Sequence, residues 1–134
     1  MGKISGPLMD RIDIHIEVPA VAYRKLRFTA NGLSSAQMRD HVLTARARQT
    51  QRFGPDSTVS NSTMPSRQIH KFCQLDQTCE TILKQAMDEL GLSARAHDKL
   101  LKLSRTIADL AETENIRPEH LSEAIQYRLL DRTL

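Results

Sequence analysis

The sequence predicts an all-α domain, a bundle of four to five helices preceded by one β-strand. Aromatic residues make up only 4% of the chain and Trp is absent. The core must therefore be built from aliphatic side chains, which suits packed helices. After residue 33, apolar residues recur every three or four positions in several stretches, with helix-capping residues at their ends. A length of 134 residues is enough for one ordinary domain.

The one stretch typical of a β-strand lies between Ser5 and Pro19. Apolar and polar residues alternate there, and one face collects Ile12, Ile14, Ile16 and Val18. A lone strand cannot pair its backbone N–H and C=O groups, and even two isolated strands are marginal. We therefore expect this strand to belong to a sheet outside the chain. Residues 1–20 would be disordered or unpaired without it, and residues 21–134 would form the helical domain.

The first helix is predicted from Ser34 or Ser35 to about Phe53, because a serine is a favourable N-cap. One stripe of this helix comprises Met38, Val42, Ala45, Gln49 and Phe53, which follow one another at spacings of four, three, four and four. The composition of residues 54–66 is that of a loop, and a short helix is predicted over residues 67–72.

Three further helices have clear start and stop signals. Asp76 is placed to cap one helix, which Gly91 would end. Ser93 is placed to cap a long helix of about five turns. Pro118 lies where the first turn of the last helix would be.

Charge is distributed unevenly along the chain. Residues 1–72 hold 11 Lys and Arg against 5 Asp and Glu, whereas residues 73–134 hold 8 against 11. The first helix carries a candidate stripe of phosphate-binding residues, Arg39, Arg46, Arg48 and Arg52. No aromatic residues are interleaved to stack on bases. A solvated helix face or a contact with another subunit explains the same arginines equally well.

The sequence offers no catalytic constellation of its own. The five histidines are scattered without metal-ligand spacing, so we assign no metal site. Cys73 and Cys79 are six residues apart, which is neither a disulfide framework nor a zinc motif. The start of the chain does not have the pattern of a signal peptide, and no apolar run reaches membrane-spanning length. We therefore expect a cytoplasmic protein without a membrane partner.

Two motifs carry a resemblance to a known family. The stretches "GPLMDRIDIHIEVP" and "LSARAHDKLLKLSRTIADL" resemble magnesium-chelatase-like AAA+ ATPases, in the branch of the ComM competence proteins. The resemblance covers nearly the whole chain. It implies that the helices are the C-terminal lid and that the strand is the last one of an AAA+ core absent from this chain. It also implies an ATPase parent that uses ATP and Mg²⁺, assembles as a hexameric ring and acts on DNA.

The chain departs from the family in lacking the phosphate-binding loop G-x-x-x-x-G-K-[ST]. We therefore expect neither bound nucleotide nor catalysis from this chain alone. Its partners would be its own AAA+ core and the neighbouring subunits, and DNA is a further candidate.

The resemblance also implies roles for two arginines. Arg11 stands where related proteins carry an arginine finger, which stabilises negative charge on the γ-phosphate in a neighbouring subunit. Arg95 stands where the lid carries a sensor-2 arginine that contacts nucleotide phosphate. From the residues alone, Arg11 could simply pair with Asp10 or Asp13. Arg95 could be an exposed arginine that pairs within its own helix, near Asp98 or Lys99.

An alternative from a different class is an autonomous helical module that binds nucleic acid or a partner protein. The basic first half and acidic second half of the chain motivate it. A helix-turn-helix formed by the last two helices is disfavoured. Its second helix would carry Glu119 and Glu123, which DNA phosphates repel.

Overall fold

The computed structural model describes residues 6–16, 18, 20 and 32–128. A 3₁₀ turn, Asn61–Thr63, lies in the loop after the second helix. In chain order the α-helices are α1 (Gly6–Arg11), α2 (Ser35–Phe53), α3 (Ser66–Phe72), α4 (Gln77–Leu90), α5 (Ala94–Leu110) and α6 (Pro118–Gln126). The described residues contain no β-strand, and α2 to α6 confirm the predicted helical bundle.

Short-range hydrogen bonds fix where the helices begin and end. The Ser34 and Gln37 side chains form a reciprocal capping box at the start of α2. The Asp76 carboxylate accepts from the Cys79 N–H at 2.8 Å and caps α4. The Ser93 hydroxyl accepts from the Ala96 N–H at 3.1 Å and caps α5. The predicted Asp76 and Ser93 caps are confirmed, and of the two serines considered for the start of α2, Ser34 is the cap.

Helix α5 lies at the centre of the bundle. It packs against α2, α3, α6 and the 3₁₀ turn, and α6 packs in addition against α4. Leu100 and Ala108 of α5 are fully buried, as are Leu121 and Ala124 of α6. Because fully buried side chains hold their helices from several sides, α5 is firmly fixed in the fold.

Helix α2 buries only half of its predicted stripe. Ala45 and Gln49 are buried, but Met38 and Val42 are each 52% exposed. The stripe is therefore buried only toward the end of the helix.

The start of the described chain differs from the extended stretch that we expected after Ser5. Gly6–Arg11 form a short helix with Pro7 in its first turn, where a missing N–H costs nothing. Residues 12–16 follow without regular structure. The strand over residues 12–18, with its partners outside the chain, stays a prediction. The predicted boundary after residue 20 adjoins residues 21–31, which lie outside the described ranges.

Within the described ranges, every helix is too short or too polar to cross a membrane.

We expect Gly91→Ala to lower the free energy of unfolding by about 1 kcal/mol. Gly91 ends α4 in the left-handed conformation, with φ 60° and ψ 40°. An added Cβ would meet no atom within 4 Å, so the cost is one of backbone strain alone. Urea unfolding followed by circular dichroism measures the difference.

Glu112 provides the matched control, because it is a non-glycine residue with φ 58° just after α5. Glu112→Gly should leave stability unchanged or raise it, since glycine adopts this conformation without strain. Equal stabilities of Gly91→Ala and the unmodified protein would contradict the prediction.

Candidate functional site

Arg95 is held on the first turn of α5. The helix begins at Ala94 after the Ser93 cap, so Arg95 is its second residue. Its backbone is fixed by Ala96 and Leu100, both fully buried, while its own side chain is exposed. Among the described residues it has no hydrogen-bond or ion-pair partner. The Arg95 guanidinium is therefore exposed on a helix whose position is fixed by its buried neighbours.

Arg11 is the last residue of α1 and is also exposed. The residue that follows it, Ile12, accepts a hydrogen bond at its carbonyl from the Arg128 guanidinium. Two residues after Arg11, the Asp13 carboxylate pairs with the Lys99 ammonium of α5. Helix α1 is thus joined to the bundle through the residues directly after it.

One of these contacts lies near Arg95 along α5. Lys99 lies four residues after Arg95, which is one helical turn along the same face of α5. Asp13 contacts Lys99, so the segment that begins after Arg11 touches α5 one helical turn from Arg95.

The four arginines predicted to form a basic stripe on α2 differ in their surroundings. Arg39 and Arg46 are exposed, and no partner within the described ranges engages them. Arg48 is half-buried and donates to the Glu112 carbonyl at 2.8 Å. Arg52 lies in a buried ion pair with Asp109. Only the first two arginines offer free guanidinium groups.

A buried polar cluster surrounds Asp109, which is completely inaccessible to solvent. Both of its carboxylate oxygens accept from Arg52, at 2.8 and 3.0 Å. The Asn61 side-chain amide donates to the same carboxylate at 2.8 Å and accepts from Arg52 at 2.9 Å. The Gln49 side chain accepts from the Asn61 backbone N–H at 2.9 Å. The cluster ties α2, the 3₁₀ turn and α5 together.

Arg105 is the second cation beside Asp109, at 3.2 Å. It also donates to the carbonyls of Glu114 at 2.8 Å and Thr113 at 3.0 Å, in the loop before α6. Burial lowers the pKa of the Arg105 guanidinium, and the Asp109 carboxylate acts in the opposite direction. A guanidinium remains charged in proteins, so the cluster holds one anion between two cations.

Aromatic rings flank the Arg52 guanidinium. Its central carbon lies 5.8 Å from the ring centroids of both Phe53 and Phe72. The two rings meet edge to face, with centroids 5.5 Å apart. Such contacts favour a partly desolvated guanidinium. Arg52 is therefore a structural residue in this fold, a role that its sequence position did not suggest.

A cavity of about 470 Å³ opens between α3, α4 and α5. Its apolar wall includes Ile69, Leu83 and Leu101, and its polar rim includes His70 and Asp98. Cys73 also lines it, and burial raises the pKa of that thiol to about 11. The thiol stays protonated at neutral pH, which makes it a poor nucleophile. In the described part of the chain, no three His, Cys, Asp or Glu side chains converge to hold a metal ion.

Comparison with known proteins places this helical domain in a family. Residues 32–128 match the family described as magnesium chelatase, subunit ChlI C-terminal, and the chain belongs to that family. The matched range includes α2 to α6 and therefore Arg95.

The individual relatives include competence protein ComM of Haemophilus influenzae, which is 40% identical over 100% of this chain and 26% of the relative. An uncharacterized protein of Escherichia coli, YifB, is 38% identical over the same shares. An uncharacterized protein of Mycobacterium tuberculosis is 29% identical over 96% of this chain and 25% of the relative. The chain thus spans about a quarter of the length of these relatives.

We expect Asp109→Asn to lower the free energy of unfolding by about 3 kcal/mol, because it leaves two buried guanidinium groups without their counter-charge. Chemical denaturation measures this loss. Asp98→Asn is the control, since the Asp98 side chain is 48% exposed and, among the described residues, pairs with His97 at 3.2 Å. The control should change stability by less than about 0.5 kcal/mol. A similar loss in both variants would show that the buried cluster is not the source of stability.

Proposed function

We propose that this chain is the C-terminal helical lid of a magnesium-chelatase-like AAA+ ATPase. The lid would couple ATP binding and hydrolysis to the motion of a cytoplasmic ring motor that acts on DNA. The observation that carries the proposal is the family match over residues 32–128, a range that includes Arg95 on the first turn of α5. The relatives are about four times longer than this chain, which leaves room for an AAA+ core.

ATP and Mg²⁺ would be bound mainly by that core. The chain has no phosphate-binding loop, so we propose that the lid alone does not hydrolyse ATP. The lid would contribute a guanidinium, whose planar fork of donors matches phosphate oxygens. Nucleotide that contacts Arg95 only in one lid orientation would favour that orientation.

Arg11 would act on a neighbouring subunit as an arginine finger. An arginine supplied in this way contributes about 10³- to 10⁵-fold to the rate of phosphoryl transfer. Two features of the structure support this role. The side chain of Arg11 is exposed, and the residues after it are attached to the bundle.

We expect Arg95→Ala in the full-length ATPase to raise the dissociation constant for ATP at least tenfold. A hydrogen bond to a charged group contributes about 1.5–3 kcal/mol. Arg95→Lys should recover part of the affinity, because it keeps the charge but loses the planar fork. Equilibrium binding of a fluorescent ATP analogue measures both variants.

The matched control is Arg67→Ala, because Arg67 is likewise exposed and is likewise the second residue of a helix, α3. The control should bind ATP as the unmodified protein does. Unchanged ATP affinity in Arg95→Ala would remove the phosphate-contacting role of that residue.

The proposed action on DNA is supported by Arg39 and Arg46, which are exposed on α2. We expect the double variant Arg39→Ala/Arg46→Ala to weaken duplex binding by the full-length protein. The salt dependence of log K should become shallower by about 0.9 per lost phosphate contact. Lys84→Ala is the control, since Lys84 is an exposed cation on α4. An identical salt slope in the double variant would exclude α2 from the DNA interface.

The same titration tests the alternative function. Tight, strongly salt-dependent binding of DNA by this 134-residue chain alone would favour an autonomous nucleic-acid-binding module. The lid function predicts that DNA binding depends on the assembled ATPase.

A further inference from the structure

Arg128 is a buried charge at the end of the bundle. It follows α6 by two residues and is completely inaccessible to solvent. Its guanidinium donates to the backbone carbonyl of Ile12, 116 residues earlier in the chain. Ile12 directly follows Arg11, so a residue from the end of the domain holds the backbone beside the proposed arginine finger.

Two further contacts attach the same segment. The His15 N–H donates to the Tyr127 carbonyl at 2.7 Å, and the His15 side chain is itself buried. Asp13 pairs with Lys99 of α5, as described above. Residues 12–15 are therefore held by the end of α6 on one side and by α5 on the other.

The contacts differ in strength. An exposed ion pair contributes little to stability, and the Asp13 side chain is 59% exposed. A buried guanidinium is costly to desolvate and needs acceptors, so a carbonyl aligned with it is held firmly. The bonds made by Arg128 and the His15 N–H both hold the backbone of this segment. Both end on the backbone of residues 12–15, so neither depends on the apolar side chains of that segment.

We propose that Arg128 is a positioning residue for Arg11, joining the segment after the arginine finger to the rigid unit that carries Arg95. This inference rests on the proposed function for the roles of the two arginines. The contact from Arg128 to the Ile12 carbonyl would then couple the placement of the helical domain to the position of Arg11.

The anchoring itself is tested in this chain by amide hydrogen exchange. Arg128→Met removes the guanidinium donors but keeps an apolar side chain of similar length. We expect exchange at the His15 amide to accelerate at least tenfold, while the amides of Leu100 and Leu121 exchange as before. If Arg128→Met does not fold, Arg128→Lys replaces it, with a smaller acceleration expected at the same amide. Unchanged exchange at His15 in a folded variant would overturn the proposal.

The positioning role is tested in the full-length ATPase. Arg128→Met should lower kcat at least tenfold and change KM for ATP by less than about twofold, as Arg11→Ala should. The double variant Arg11→Ala/Arg128→Met should be no slower than Arg11→Ala alone, because both changes remove the same contribution. Additive losses, or a raised KM in Arg128→Met, would refute positioning of Arg11.

The two experiments test the anchoring by Arg128 and the proposed arginine-finger function separately. If Arg11→Ala leaves ATP turnover unchanged, the arginine-finger role fails. The exchange measurement at His15 still decides whether Arg128 anchors the segment.

Discussion

The fold depends on one buried carboxylate, that of Asp109. It lies between the guanidinium groups of Arg52 from α2 and Arg105 from its own helix. A lone buried charge would be unfavourable by several kcal/mol, so the three groups are stable only together. Through Arg52 and Asn61 the carboxylate fixes α2 and the 3₁₀ turn against α5. Through Arg105 it fixes the loop that leads into α6.

This arrangement decides which cations remain available for function. Five positive side chains of α2 and α5 can be compared: Arg39, Arg46, Arg48, Arg52 and Arg95. Arg52 has most of its donors engaged inside the fold, and Arg48 binds a backbone carbonyl. Arg39, Arg46 and Arg95 keep exposed guanidinium groups. The excess positive charge of the first half of the chain therefore overstates the basic surface, because part of it is neutralised by Asp109.

Features that depend on neighbouring residues were predictable from the sequence. The Ser34, Asp76 and Ser93 caps and the Gly91 terminus require contacts over only a few residues, so local patterns identify them. The role of Arg52 was not predictable, because its partner Asp109 lies 57 residues away and in another helix. On a helical wheel Arg52 is simply one cation among several.

The limits of the α2 prediction have a related cause. A periodic stripe shows which face of a helix can be buried, but the length of the buried part depends on the neighbouring elements. Met38 and Val42 continue the stripe of Ala45 and Gln49, yet they are half-exposed. The anchoring of residues 12–15 by Arg128 was equally invisible, since it uses a backbone carbonyl that no side-chain pattern reports.

The two proposed arginine roles have support of different kinds. Arg95 lies within residues 32–128, the range that the family match covers. It belongs to α5, which has many buried residues. Arg11 lies outside that range, and only the relatives aligned over the whole chain extend to it. Arg128 is the last residue of the matched range and contacts the residue next to Arg11. The family domain therefore contains, in Arg128, a group that holds the backbone of the residue next to Arg11. Under the proposed positioning role, the placement of Arg11 would depend on the helical domain as well as on the segment that precedes it.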